Sequence, residues 1–184
     1  MVLTKTPICN FGEKAKDFNL LSTESKKISL NKVQGEKGTL IMFICNHCPY
    51  VKAVITDIVE DVNFLDDVGI KSAAIMSNDV KNYPEDSFEN MISFAKLHDF
   101  SFPYLIDETQ KVAKEYGAVC TPDFFGYNKN LELQYRGRIR ELKELKPVRK
   151  GDSELKSAMK LVAESGKGPA SQIPSMGCNI KWFK

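Results

Sequence analysis

The stretch Leu40-Ile41-Met42-Phe43-Ile44-Cys45-Asn46-His47-Cys48-Pro49-Tyr50-Val51-Lys52 decides how the rest of the chain is read. An apolar run ends at two cysteines separated by two residues, and a helical pattern begins at once. The run is short, rich in Ile and Phe, and follows Gly38, which is the pattern of a fully buried strand. Beyond it, Val51, Val54, Ile55, Ile58, Val59 and Val62 fall on one stripe of helical period. The Cys-x-x-Cys pair therefore sits where a central strand ends and a helix opens.

That placement has chemical consequences. The thiolate, not the thiol, attacks disulfides, and a helix N-terminus stabilises it with unpaired N–H groups and the positive end of the helix dipole. Cys45, at the start of the motif, is expected to be the more acidic and more exposed sulfur. Cys48 is placed to resolve the mixed disulfide that forms on Cys45. His47, between them, adds partial positive charge that favours the Cys45 thiolate, at about 1.4 kcal/mol per pKa unit. The result is a more oxidising pair. Pro49 suits the first helical turn, where backbone N–H groups lack intrahelical partners.

Two other readings use the same residues. Cys45, Cys48 and His47 are zinc-ligand types, but a structural zinc site takes four placed ligands. The remaining candidates, Cys9, His98, Cys120 and Cys178, are scattered singly. The pair can also be two buried structural thiols. The strand–Cys-x-x-Cys–helix context favours a redox pair with no metal.

The 184 residues suffice for one domain spanning 1–184 with a substantial core. Basic and acidic residues number 26 and 24 and are interspersed, for a formal charge of +2, so no nucleic-acid partner is expected. No apolar stretch approaches the ~20 residues of a membrane span. Met1 to Asn10 lack the apolar core of a signal peptide, and five cysteines do not form a fully paired extracellular framework. The cytoplasm is the expected address.

Along the chain, Asp17 to Leu21 and Lys27 to Leu30 read as an N-terminal β-hairpin. The helix after the cysteines ends near Asp66-Asp67-Val68-Gly69, and Ile70 to Met76 is a second buried strand. A polar loop from Ser77 to Asp86 leads into a helix with Phe88, Met91, Ile92 and Ala95 on one face. Phe102 to Ile106 is a short strand. Val112, Ala113 and Tyr116 mark a helix capped by Thr109 and stopped by Gly117. Phe124 to Tyr127 and Leu131 to Ile139 flank a turn at Asn128-Lys129-Asn130. The last helix starts near Ser153, turns Leu155, Ala158, Met159 and Val162 inward, and stops at Gly166. This order implies a mixed α/β sheet flanked by helices.

The chain resembles the thioredoxin-fold redoxins, a broad group that includes the alkyl-hydroperoxide-reductase/thiol-specific-antioxidant and membrane-anchored TlpA/ResA-like proteins. The resemblance is carried by Cys45-Asn46-His47-Cys48-Pro49-Tyr50-Val51-Lys52, Phe102-Pro103-Tyr104-Leu105-Ile106-Asp107, Thr121-Pro122 and the strand pair that follows. It is most specific to cytoplasmic redoxins with a Cys-Asn-His-Cys-Pro-Tyr-Val motif and a Gly-Cys-x-Ile-Lys-Trp tail, here Gly177-Cys178-Asn179-Ile180-Lys181-Trp182, and it covers nearly the whole chain. It implies a thioredoxin fold with an inserted strand–helix unit and a tail, about 167–184, packed on the body. It also implies that Pro122 is a cis-proline facing the cysteine pair, with Thr121 and Pro122 contacting an extended substrate. By itself, a proline at a strand edge is trans in all but about 5–6% of cases.

Some positions depart from better-known relatives. Ile44 replaces the tryptophan before the motif, and Thr39 stands where thioredoxins carry a buried acid. The proton acceptor for Cys48 is left open. Asp79, Glu85 and Asp86 qualify by loop position, though they read first as solvated loop charges.

The remaining candidates divide as follows. Cys120 and Cys178 are candidate additional thiols. Cys120 also reads as a small core residue, and Cys178 as part of a packed tail beside Trp182. Cys9 reads as an ordinary thiol, and His98 as a surface residue at a helix C-terminus. A thiol-dependent peroxidase is the first alternative, but the Pro-x-x-x-Thr/Ser-x-x-Cys pattern is not met. Gly38 and Met42 precede Cys45 at those spacings, and Ile41 and Cys45 precede Cys48. Arg136, Arg138 and Arg140 offer cations, though alternating arginines read as a solvated strand edge. A non-catalytic copper carrier is the second alternative, since two soft thiolates suit Cu(I).

The expected protein is a thiol–disulfide oxidoreductase with no cofactor besides a Cys45–Cys48 redox disulfide. Its expected partners are protein or low-molecular-weight disulfides and thiols, and a redoxin that donates or accepts electrons.

Overall fold

A computed structural model describes residues 2–184. Three short strands come first, β1 (Leu3–Lys5), β2 (Asn19–Ser22) and β3 (Lys27–Ser29), and then the buried run, β4 (Gly38–Phe43). It is followed by α1 (Pro49–Asp67), β5 (Ile70–Met76), α2 (Phe88–Leu97), β6 (Tyr104–Ile106) and α3 (Lys111–Tyr116). Next come β7 (Cys120–Thr121), β8 (Asp123–Asn128), β9 (Leu133–Tyr135) and a small hairpin of β10 (Leu142–Lys143) and β11 (Lys146–Pro147). α4 (Glu154–Ser165) and β12 (Met176–Asn179) complete the chain.

All six residues of β4 are buried, because the strand lies inside a seven-stranded mixed sheet of order β3-β2-β6-β5-β4-β8-β9. It pairs parallel with β5 and antiparallel with β8, and helices cover both faces, which is why the run is apolar without alternation. Successive side chains still point to opposite faces. Leu40 and Met42 join the core packed with α1, α2 and α4, while Ile41 and Phe43 join the core packed with α3. The N-terminal hairpin extends one sheet edge, with β2 antiparallel to β6. The strand–helix unit β6–α3 is inserted between α2 and the β8–β9 hairpin.

Helix ends follow local chemistry. The Ser153 hydroxyl accepts from Lys156 N at 2.8 Å at the start of α4, and Gly166 ends that helix with φ 74°. Gly117, with φ 65°, ends α3. At the N-terminus of α3 the Thr109 hydroxyl accepts from Lys111 N at 3.4 Å, and Gln110 is the residue in the left-handed region.

The structure departs from the sequence pattern in four places, the first being that the strand expected over Leu131 to Ile139 is limited to Leu133–Tyr135. On α2, Ile92 is exposed, and Phe94 packs inward beside Met91 instead. On α1, the stripe runs on to Leu65, while Val59 is only partly buried. Residues near the C-terminus do more than pack on the body. β12 is the middle strand of a separate antiparallel sheet of order β1-β12-β7. Among the described residues, no helix is long and apolar enough to cross a membrane.

Candidate active site

The chain leaves β4 at Phe43 and enters α1 at Pro49, so the motif forms the turn between them. Cys48 is the N-cap residue of α1, with Pro49 in the first turn. Cys45 lies three residues earlier, ahead of the helix. Both sulfur-bearing residues are buried, at 1% and 0% relative exposure.

Thr121 brackets the pair. Its hydroxyl is 3.4 Å from Cys45 Sγ, and its carbonyl oxygen lies 3.1 Å from Cys48 Sγ and accepts from that sulfur when it is protonated. The Thr121–Pro122 bond is cis. The two thiols titrate as a coupled pair, the charge of one setting the proton affinity of the other. The hydrogen bond from Cys45 lowers the Cys48 thiol to about 5 against the cost of burial, helped by Cys178, Thr121 and the Val51 backbone. Cys45 is raised well above its ordinary value by that same bond, by burial and by the charge of Asp86. The sequence places the acidic, exposed sulfur at Cys45. In the structure both sulfurs are buried, so neither is the exposed one, and their coupling lowers Cys48, the N-cap of α1, while it raises Cys45.

His47 is held by a residue whose loop position gave no sign of its burial. Asp86 is fully buried, and its carboxylate accepts four hydrogen bonds. Asn46 N and His47 N donate to Oδ1 at 2.8 and 3.3 Å, while His47 Nδ1 and Asn78 Nδ2 bond Oδ2 at 2.6 and 2.8 Å. Burial works against its charge, yet these donors keep Asp86 below the usual carboxylate range. The Asp86 hydrogen bond in turn raises His47 above its ordinary value. His47 Nδ1 is also 3.9 Å from Cys45 Sγ. Tyr104 Oη donates to Asn46 Oδ1 at 2.9 Å, which fixes the turn from below. Glu85 contributes only its backbone carbonyl, to Asn46 Nδ2, and Asp79 closes its own loop through Lys81 N and Asn82 Nδ2.

Cys45, His47 and Asp86 offer metal-ligand atoms within 4.8 Å of one another. Zinc takes such donors, but the four acceptor positions of Asp86 are already filled by N–H donors, which is the chemistry of a satisfied carboxylate.

The other sulfurs separate cleanly. Cys178 on β12 lies directly opposite Thr121 on β7, and directly opposed residues share a face. Its Sγ is 2.9 Å from Cys48 Sγ. Cys120, one residue before Thr121, faces the other way and donates weakly to Pro122 O at 3.7 Å. Burial pushes its thiol far up. Cys9 is half-buried in the opposite core and is raised to about 11 by burial. His98 caps α2 against the ring of Phe94, and burial lowers it.

The arginines are not a solvated edge. Arg136 is buried, donates to Asp123 Oδ2 at 3.0 Å and to Gly117 O at 2.7 Å, and lies over the Phe125 ring. Arg138 pairs with Glu154 and Arg140 with Asp57, each at 2.8 Å. A cleft of about 270 Å³, lined by Tyr50, Pro122, Ile139 and Ile173 with Lys5, Arg138 and Arg140, includes the cis-proline but neither Cys45 nor Cys48. A larger depression of about 640 Å³, bordered by Ser22, Ile92 and Phe100, includes none of these residues.

A mixed sheet with helices on both faces, a Cys-x-x-Cys turn at the end of its central strand and a cis-proline opposite define a redoxin of the thioredoxin fold. The chain belongs to the AhpC/TSA family, whose model matches residues 11–142. It is similar over its whole length to a crystal structure of an uncharacterized conserved protein from Geobacillus kaustophilus. The two share 38% identity at a TM-score of 0.94, over 100% of this chain and 97% of that one. A hypothetical protein from Sinorhizobium meliloti 1021 is 33% identical at a TM-score of 0.90, over 98% of each chain. The fold is shared with the thioredoxin domain of a thiol-disulfide oxidoreductase from Bacteroides vulgatus, at 15% identity and a TM-score of 0.57 over 68% of this chain and 86% of that one. A comparison with curated proteins gave no match.

Proposed function

We propose that this redoxin is a thiol–disulfide oxidoreductase in which Cys45 and Cys48 cycle between dithiol and disulfide. One observation carries the reading: the two cysteines meet at the N-terminus of α1, each within hydrogen-bond reach of Thr121 of the cis Thr121–Pro122 bond. Cys48 is hemmed in by Cys45, Thr121 and Cys178, so Cys45, on the His47 side, is the sulfur that meets an external disulfide.

As Cys45 attacks, its proton passes to the Cys48 thiolate it already bonds. The substrate S–S bond breaks, one substrate half leaves as thiolate, and the other stays on Cys45 as a mixed disulfide. Cys48 then attacks Cys45 Sγ and gives its proton to the departing second half. The products are a Cys45–Cys48 disulfide and two substrate thiols, one still ionised; the reverse sequence oxidises a dithiol partner. The apolar cleft beside Tyr50 and Pro122, with Lys5 and Arg140 at its polar side, suits a disulfide-bearing peptide or a low-molecular-weight disulfide. Cytoplasmic redox exchange with a second redoxin is the setting we assign to it.

Replacing Cys48 with Ser tests the roles directly. The variant is expected to accumulate a mixed disulfide on Cys45 when mixed with oxidised glutathione. If the adduct forms elsewhere, or not at all, the reading fails. Peroxide consumption measured alongside separates it from a peroxidase; the Arg136 guanidinium, a candidate activating cation in the sequence, is engaged by Asp123 and Gly117.

A further inference from the structure

Cys178 lies far from the motif in sequence, 130 residues from Cys48, and nothing in the dithiol cycle requires it. Its placement is nonetheless specific. The register of β12 on β7 sets Cys178 opposite Thr121, the residue that brackets both active-site sulfurs. Gly177 makes that approach possible. A Cβ there would stand 2.0 Å from the Thr121 carbonyl oxygen and 2.7 Å from its carbon, so only glycine lets β12 come this near. The strand is held at its far end as well. Asn78 Oδ1 accepts from Lys181 N at 2.8 Å, Lys181 O accepts from Asp79 N at 2.8 Å, and Gln110 Nε2 donates to Lys181 O at 2.8 Å. Cys178 is thus delivered to the reacting pair on a rigid element. Its sulfur rests 2.9 Å from that of Cys48, a little under 1 Å beyond the ~2.05 Å of a disulfide bond.

We infer that Cys178 is a third redox thiol of this site, which takes over Cys48 from the Cys45–Cys48 disulfide. The inference rests on the dithiol cycle proposed above and extends it. In the oxidised protein, Cys178 Sγ attacks Cys48 Sγ. The Cys48–Cys178 bond forms, the Cys45–Cys48 bond breaks, and Cys45 leaves with the pair of electrons and takes up the proton Cys178 gives up. No external oxidant or reductant is consumed, because one disulfide replaces another. The exchange stores the oxidising equivalents on the β12 strand and returns Cys45 as a nucleophile facing the substrate side. In the reduced protein the Cys178 thiol is held up to about 12 by burial and by Cys48. Bonding Cys48 to Cys45 removes the charge on Cys48, and with it part of that hold.

Oxidised glutathione is the probe, and the readout is disulfide mapping by mass spectrometry of the full-length chain digested without reduction. Cys45→Ser is expected to form an internal Cys48–Cys178 linkage and lose two alkylatable thiols, and the wild-type digest to contain both Cys45–Cys48 and Cys48–Cys178. Gly177→Ala is expected to lose the Cys48–Cys178 linkage and keep Cys45–Cys48. If both Cys45→Ser and wild type lack the Cys48–Cys178 linkage, the inference is overturned, and the wild-type digest alone decides if Cys45→Ser does not fold. Cys178→Ser separates the two levels. It should still form Cys45–Cys48, and if it forms no such bond the dithiol reading itself falls and takes this one with it.

Discussion

Asp86 Oδ2 lies 2.6 Å from His47 Nδ1, and the acid is wholly buried beneath a histidine whose side chain is one-fifth exposed. The pair governs the charge around Cys45. Asp86 ionises below the usual carboxylate range, and His47 keeps its proton above its ordinary value. The His47 contribution to stability is therefore complete below about pH 6.5 and fades as the pH rises through its raised folded-state value. The Asp86 contribution is complete above about pH 4 and fades as the pH falls through its depressed one. Between these limits the ion pair is intact. Asp86→Asn should bring the His47 titration, followed by proton NMR, back to about 6.5 or below. It should also cost on the order of 3 kcal/mol in urea unfolding at pH 6. An unchanged His47 midpoint would show that the pair does not exist in solution.

Because Asp86 already balances His47, removing the histidine has two effects of one sign. Cys45 loses a neighbouring cation, and the Asp86 charge that raises Cys45 is left unopposed. Both disfavour a thiolate anywhere on the coupled pair, since His47 also interacts with the charge on Cys48, and so they disfavour the reduced form. His47→Ala should make the pair less oxidising, by about 30 mV for each tenfold change in the exchange constant with glutathione. If the potential stays where it was, His47 has no part in setting it.

The coupling of the two thiols predicts a two-step titration of the reduced protein, read as thiolate absorbance in the ultraviolet. The first step belongs to the coupled pair and falls near pH 5. The second lies well above an ordinary thiol. Cys48→Ser should abolish the step near 5, leaving Cys45 to titrate without its partner. A lowered folded-state pKa stabilises the fold above the ordinary thiol value, and that benefit is lost as the pH falls through 5. If the step near 5 survives Cys48→Ser, the charge lies elsewhere.

The scaffold was legible wherever burial imposed a period. β4, α1, β5 and α4 are long enough for the strand and helix repeats to declare themselves, and Ser153 and Gly166 mark the ends of α4. The site was legible only in its local part. Cys45, His47 and Cys48 announce themselves by spacing, and Thr121-Pro122 through the redoxin resemblance. Asp86 did not, because an acid in a polar loop looks the same whether solvated or buried. What buries it are N–H groups of Asn46 and His47, some 40 residues away in sequence. β7 and β12 span two and four residues, too short for any alternation to show. The tail from Gly177 to Trp182 stood out only through the redoxin resemblance, which did not give its pairing with β7. Met91 and Phe94 are three positions apart on α2, so the buried stripe is centred on the side they share and leaves Ile92 exposed.

Arg136 and Asp123 tie the cis-proline segment to the sheet, since Asp123 follows Pro122 directly and opens β8. Asp123 is fully buried, and burial raises it to about 6 in spite of the guanidinium 3.0 Å away. A raised carboxyl binds its proton more tightly in the folded state, so its cost to stability grows as the pH climbs from about 4 through 6. Arg136→Met removes the compensating charge, the stacking on Phe125 and the donor to Gly117 O, while keeping an apolar stem of similar reach. The expected loss is about 3–5 kcal/mol at pH 8, because a buried charge is left unpaired. It should be smaller at pH 5, where protonation of Asp123 relieves that charge. Adding Asp123→Asn should recover part of the loss at pH 8 and little at pH 5. If urea unfolding shows the same loss at both pH values, the cost comes from packing rather than from the orphaned carboxylate, and the ion pair is not what holds the start of β8 in place.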